Sequence, residues 1–145
     1  MRAFAPLLAL CLTSPPAAAD WAVRQATSQP FADVREALTL AIENRGLVIN
    51  YTSHIADMLA RTGADIGAGK QVFGQAEIIE FCSAKLSRQM MEADPHTIVL
   101  CPFAIAIYTL PGADGQTWIA WRRPLGGATA IVEPLLREIA DEASR

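Results

Sequence analysis

Histidine and cysteine are the scarce residues here: the 145-residue chain has only His54 and His96, and only Cys11, Cys82 and Cys101. Two histidines leave little room for general acid-base catalysis, which uses imidazole most often and needs it beside a nucleophile. No Ser-His-Asp order, paired-acid motif, zinc-type spacing or nucleotide fingerprint occurs, so an enzyme is the minority reading. Charge is sparse too, at 19% of residues, and no basic run is present. Without one there is no phosphate-neutralising footprint for nucleic acid, and no attraction to an anionic membrane surface. The long apolar run at the start ends at Leu12, short of the roughly 20 residues that cross a bilayer.

What is present fits one globular domain behind an export signal. Hydrophobic residues make up 52% of the chain, enough for a single core. In MRAFAPLLALCLTSPPAAAD, Arg2 supplies the positive end, Ala3 to Leu12 the apolar stretch, and Ala17, Ala18 and Ala19 a small-residue cleavage site. Residues 1–19 are therefore expected to be removed, with the domain spanning 20–145 and the protein periplasmic or secreted. Bulky Leu10 before Cys11 argues against a lipid anchor. The mature chain keeps eleven Lys and Arg against fifteen Asp and Glu, a net charge of −4. It also keeps two cysteines, Cys82 and Cys101, an even number in a compartment where disulfides persist.

Along that mature chain, Trp21 to Ala26 reads as a first strand. Val34, Leu38, Ala41 and Ile42 recur at helical spacing over Phe31 to Arg45, and Gly46 follows where a left-handed terminus favours glycine. Leu47 to Thr52 is rich in strand formers. Ser53 is then expected to cap a short helix, His54 to Arg61. A glycine-punctuated loop, GADIGAGKQVFG, leads to a strand over Gln75 to Phe81 and a helix over Ser83 to Glu92, stopped by Asp94-Pro95. From Thr97 to Leu110 the chain is almost continuously apolar and predicts one long strand bent at Pro102, or two short ones meeting there. The turn Pro111 to Gly115 joins it to a strand over Thr117 to Arg122. Gly126-Gly127 is a hinge before a last helix carrying Leu135, Leu136, Ile139 and Ala140, with Pro134 in its first turn. This order predicts an α+β fold: a largely antiparallel five-stranded sheet, two main helices on one face and two short inserted helices.

Several of these segments resemble the domain-of-unknown-function family numbered 302. They are the helix ending at Gly46, LVINYTSH, EIIEFCSAKLSRQMM, LCPFAIAIYTLP and WIAWRRP, and the likeness spans roughly Ala22 to Ala140. The resemblance implies a compact sandwich with an antiparallel sheet, related in layout to TATA-binding-protein-like folds, and often a dimer. It implies no activity or catalytic residue. The export signal and the long glycine loop depart from the family's pattern.

The candidate chemistry centres on CSAKLSRQMMEADPHTIVLCP, residues 82–102. If the strands holding Cys82 and Cys101 run antiparallel, both thiols reach the same end of the sheet; a parallel crossover would separate them beyond the roughly 7 Å that a disulfide tolerates. Four readings follow: a structural disulfide, a pair of unlinked buried cysteines, a soft-metal or haem site, and a thiol-disulfide exchanger. Cys82 and Cys101 with Met90, Met91 or His96 form a donor set suited to Cu(I). His54 and Met58, four apart on a helix, are a second pair able to ligate copper or haem iron. Glu80 shares a strand face with Cys82, and its charge opposes the thiolate that an exchanger needs. The glycine loop lacks the phosphate-loop pattern at Ala64 and Gln71. Arg122 and Arg123, following Trp118 and Trp121, are a candidate anion contact at a sheet edge, walled by aromatic rings. Finally, Phe103, Ile105 and Ile107 alternate with Ala104, Ala106 and Tyr108, so both faces of that strand look dry. Helices cover only one face, which predicts a homodimer partner on the other and a binding module whose unknown small ligand, a soft metal, haem or sulfur compound, sits at a sheet edge or the dimer seam; a purely structural interaction domain is a further reading.

Overall fold

The computed structural model describes residues 21–113 and 115–145. The expected signal segment, with Cys11, lies outside them. Five strands form one sheet: β1 (Ala22–Thr27), β2 (Val48–His54), β3 (Ala76–Cys82), β4 (Phe103–Tyr108) and β5 (Thr117–Arg122), in the order β1-β5-β4-β3-β2. Every neighbouring pair is antiparallel. Four helices join them: α1 (Phe31–Glu43), α2 (Ile55–Gly63), α3 (Ala84–Ala93) and α4 (Glu133–Ala143). This is the expected α+β architecture.

One face of the sheet carries the core. Phe103, Ile105 and Ile107 of β4, Ile119 and Trp121 of β5, and Ile79 and Phe81 of β3 point to it. They meet Val34, Leu38, Ala41 and Ile42 of α1 and Leu136, Ile139 and Ala140 of α4, all buried. The 3.6-residue apolar stripe of each helix and the 2-residue alternation of each strand thus converge on one layer. Gly46 adopts φ 68°, the left-handed conformation its place after α1 demands.

Three segments differ from the sequence expectation, each for a local reason. Thr97 to Leu100 is not strand: Pro95–Leu100 is a short 3-10 helix. The Asp94 carboxylate accepts from the His96 N–H, and the Thr97 hydroxyl donates to the Asp94 carbonyl, so the segment winds despite its β-branched residues. The ladder then resumes at Phe103, one residue past Pro102. In β2 the strand runs on to His54, with a bulge between Ile49 and Tyr51, so His54 rather than Ser53 precedes the helix and no side chain caps it. A second 3-10 helix, Gly127–Val132, fills the stretch expected to be a plain hinge.

Candidate functional site

β3 and β4 are antiparallel, and their register carries Cys82 and Cys101 to the same rim. Phe81 stands opposite Phe103, so the chain leaves β3 where it enters β4. Cys82 is the last residue of β3, and Cys101 lies two residues before β4, joined to Pro102 by a cis peptide bond. Between them α3 starts from Ser83, whose hydroxyl accepts from the Leu86 N–H at 3.4 Å. The two Sγ atoms stand 3.6 Å apart, and the Ser87 hydroxyl lies 3.6 Å from the Cys101 sulfur. Both cysteines are half-buried free thiols. Burial, then the hydrogen bond and charge interaction with Cys101, push the Cys82 thiol above its ordinary pKa. Exposed apolar residues stand near the pair in sequence or register: Val48, the register partner of Cys82, is 66% exposed, and Ile98 and Val99, in the 3-10 helix that precedes Cys101, are 60% and 78% exposed.

The other predicted ligands do not gather there. Met90 is fully buried in the core, and Met91 packs against it. His96 is exposed in the 3-10 helix after α3. His54 and Met58 sit at the opposite end of the sheet, because His54 pairs with Glu77 near the start of β3 while Cys82 ends that strand; a strand of this length spans about 20 Å. At that end the His54 ring nitrogen Nδ1 lies 3.2 Å from the Glu77 carboxylate. Among the described residues no group of three or more His, Cys, Asp or Glu is placed to hold a metal ion. The aromatic wall for Arg122 and Arg123 does not form either. Trp118 and Trp121 fall on opposite faces of β5, and β5 is an inner strand.

The sheet's second face is the feature that sequence alternation hinted at without resolving. Antiparallel partners share a face, so its side chains form cross-strand rows. Nearest the thiols run Ala22, Arg122, Ala104, Glu80 and Tyr51; next come Arg24, Ala120, Ala106, Ile78 and Ser53; farthest are Ala26, Trp118, Tyr108 and Ala76. The centre is floored by alanines. The far row is built of rings: Tyr108 stacks on Trp118 at 6.4 Å, and Phe73, from the glycine loop, meets Tyr108 edge-on at 5.5 Å. The Trp118 Nε1 is buried with no hydrogen-bond partner among the described residues.

Comparison with known proteins bears on this arrangement as a whole. The sequence matches the family described as "Domain of unknown function DUF302" over residues 23–145. The chain belongs to the DUF302 family. A solved DUF302 structure, titled "Crystal structure of uncharacterized conserved protein DUF302 from Bacillus stearothermophilus", superposes with a TM-score of 0.60 at 18% identity, covering 87% of this chain and 91% of that one. At that identity the likeness establishes the shared DUF302 fold. No curated protein gives a significant match. Among the described residues no helix is long and apolar enough to cross a membrane.

Proposed function

We propose that this DUF302 protein is an exported accessory domain that works by binding rather than catalysis, with the Cys82–Cys101 rim as its site. In an oxidising compartment the pair is a disulfide: two thiols give up two protons and two electrons to that compartment's oxidant, and one S–S bond forms. The observation that carries this reading is the 3.6 Å separation of the sulfurs on a rim that the fold itself assembles. The apolar skirt of Val48, Ile98 and Val99 suits a docking surface beside the bridge. Catalytic thiol-disulfide exchange is the weaker alternative. It needs an accessible thiolate with a lowered pKa, whereas burial raises that of Cys82, and Glu80 lies on the same strand face.

One geometric fact favours a second reading, for the reduced protein. A metal placed about 2.3 Å from each sulfur, the length of a Zn–S bond, would subtend an S–metal–S angle of roughly 100°, close to tetrahedral. Cys82 and Cys101 would then chelate one soft ion such as Cu(I) through two thiolates, releasing two protons and leaving positions open for ligands from a partner. Haem binding through His54 and Met58 has no comparable support, since the fold sets that pair at the far end of the sheet.

The test is a thiol count and intact mass on protein purified from the oxidising compartment without reductant. A disulfide predicts no free thiol before reduction and two afterwards. Two free thiols in the native protein would refute the bridge. Uptake of one equivalent of Cu(I) by the reduced protein, lost in Cys82→Ser, would support the chelate.

A further inference from the structure

Helix α2 is amphipathic, yet none of its residues is buried. Ala56, Leu59, Ala60 and Gly63 recur at helical spacing along one face, and that face lines a cleft of about 300 Å³ instead of joining the core. The opposite wall is the glycine loop, which is held at both ends. At the near end the Ala68 N–H donates to the Gly63 carbonyl at 2.8 Å, an approach that glycine permits, since a Cβ on Gly63 would stand 2.8 Å from the Ala68 oxygen. At the far end the Gly74 N–H donates to the Thr109 carbonyl and the Gln75 N–H to the Thr109 hydroxyl, both at 2.9 Å, while the Phe73 ring rests edge-on against Tyr108. Between these anchors Val72 and Phe73 extend the apolar wall. The N–H groups from Gly69 to Phe73 make no hydrogen bond among the described residues.

We infer that this cleft binds a small organic carboxylate with an apolar body. Its volume meets the lower end of the range for ligand cavities, about 300–1,000 Å³, and its wall of alanines, leucine, valine and phenylalanine suits a hydrocarbon chain or ring. The sign of the ligand follows from the two charged side chains in the lining. Asp57 lies in the first turn of α2, where N–H groups that no side chain caps carry the positive end of the helix dipole and offset its charge. Lys70, on the loop, has neither an ion pair nor a hydrogen bond among the described residues. The uncompensated charge is therefore the ammonium, and a carboxylate gives it a charge-assisted hydrogen bond. Backbone groups of the loop do not choose the sign, because the carbonyls from Gly69 to Val72 are as open as the N–H groups; they serve any polar head. The cleft lies beyond the sheet end that holds His54, opposite the thiols, so it stands or falls separately from the bridge.

Amide-resolved NMR titration with three probes of one apolar body, phenylbutyrate, phenylbutanol and phenylbutylamine, tests it, with circular dichroism confirming that each variant folds. Phenylbutyrate is expected to give saturable shifts concentrated in α2 and in the loop from Ala68 to Gly74, and to bind more tightly than the alcohol or the amine. Lys70→Met should weaken phenylbutyrate by about tenfold or more and leave phenylbutanol unchanged, which separates a charge contact from a general loss of the cleft. Ala60→Phe, at an exposed position on the cleft side of α2, should block all three probes without disturbing the fold. The inference is overturned by phenylbutyrate shifts that do not saturate or that fall elsewhere, by an amine that binds as tightly as the acid, or by Lys70→Met protein that holds phenylbutyrate as well as the wild type.

Discussion

Opening the proposed Cys82–Cys101 bridge should cost this domain a large share of its stability. The proposed bridge would close a loop across 19 positions of sequence, and restricting a loop of about 20 residues in the unfolded chain stabilises the fold by about 3 kcal/mol. The geometry does little to reduce that figure. Forming the bond brings the sulfurs from 3.6 Å to about 2.05 Å, a movement of about 1.5 Å that half-buried side chains at a rim make largely by rotation. A domain of this size is typically stable by only 5–15 kcal/mol, so the effect is easily seen. The measurement is urea unfolding, followed by circular dichroism, of the oxidised protein, the reduced protein and Cys82→Ser/Cys101→Ser. With a slope of about 2 kcal/mol/M, the oxidised midpoint should exceed the other two by about 1.5 M. Coincident midpoints for oxidised and reduced protein would refute the reasoning, because the loop term acts through the unfolded chain and does not depend on any native contact.

Three further outcomes follow from single features. Reduced protein should lose stability as pH rises above about 9: the folded pKa of Cys82 exceeds its ordinary value of 9.0, so the unfolded chain ionises first, while the oxidised form, lacking that thiol, should show no such alkaline loss in paired urea titrations. Phe81→Ala removes a fully buried ring that meets Phe103 edge-on at 6.1 Å, and should cost about 3–5 kcal/mol in chemical denaturation. Gly46→Ala should cost about 1–2 kcal/mol even though an added Cβ would meet nothing within 4 Å, because φ 68° penalises any side chain; a neutral result would show that the turn relaxes.

The residues differ in how openly they announce these roles. Val34, Leu38, Ala41 and Ile42 declare the buried stripe of α1 by spacing alone, and Gly46 declares its end, because helix periodicity and left-handed backbone are local physics. Ile98 and Val99 mislead, since their strand propensity is overruled by hydrogen bonds that Asp94 accepts from His96 and Thr97, which composition does not weigh. The meeting of Cys82 and Cys101 was readable only as a condition on topology, and antiparallel pairing of β3 and β4 fulfils it. Met90 and Met91 are equally plausible from sequence as ligands or as packing, and only the direction of α3 against the core separates the two. The stacking of Tyr108 on Trp118 was invisible beforehand, because it depends on the register of β4 against β5.

The bulge in β2 has a consequence for how the protein behaves in a crowded solution. β2 lies at the margin of the sheet, where unmatched backbone groups invite a neighbour's strand to add on and growth to continue without end. The extra residue between Ile49 and Tyr51 breaks the flat run that such growth requires. Excising Asn50 would leave every flanking side chain on its present face yet straighten the margin, removing the obstacle that the bulge sets against a neighbour's strand.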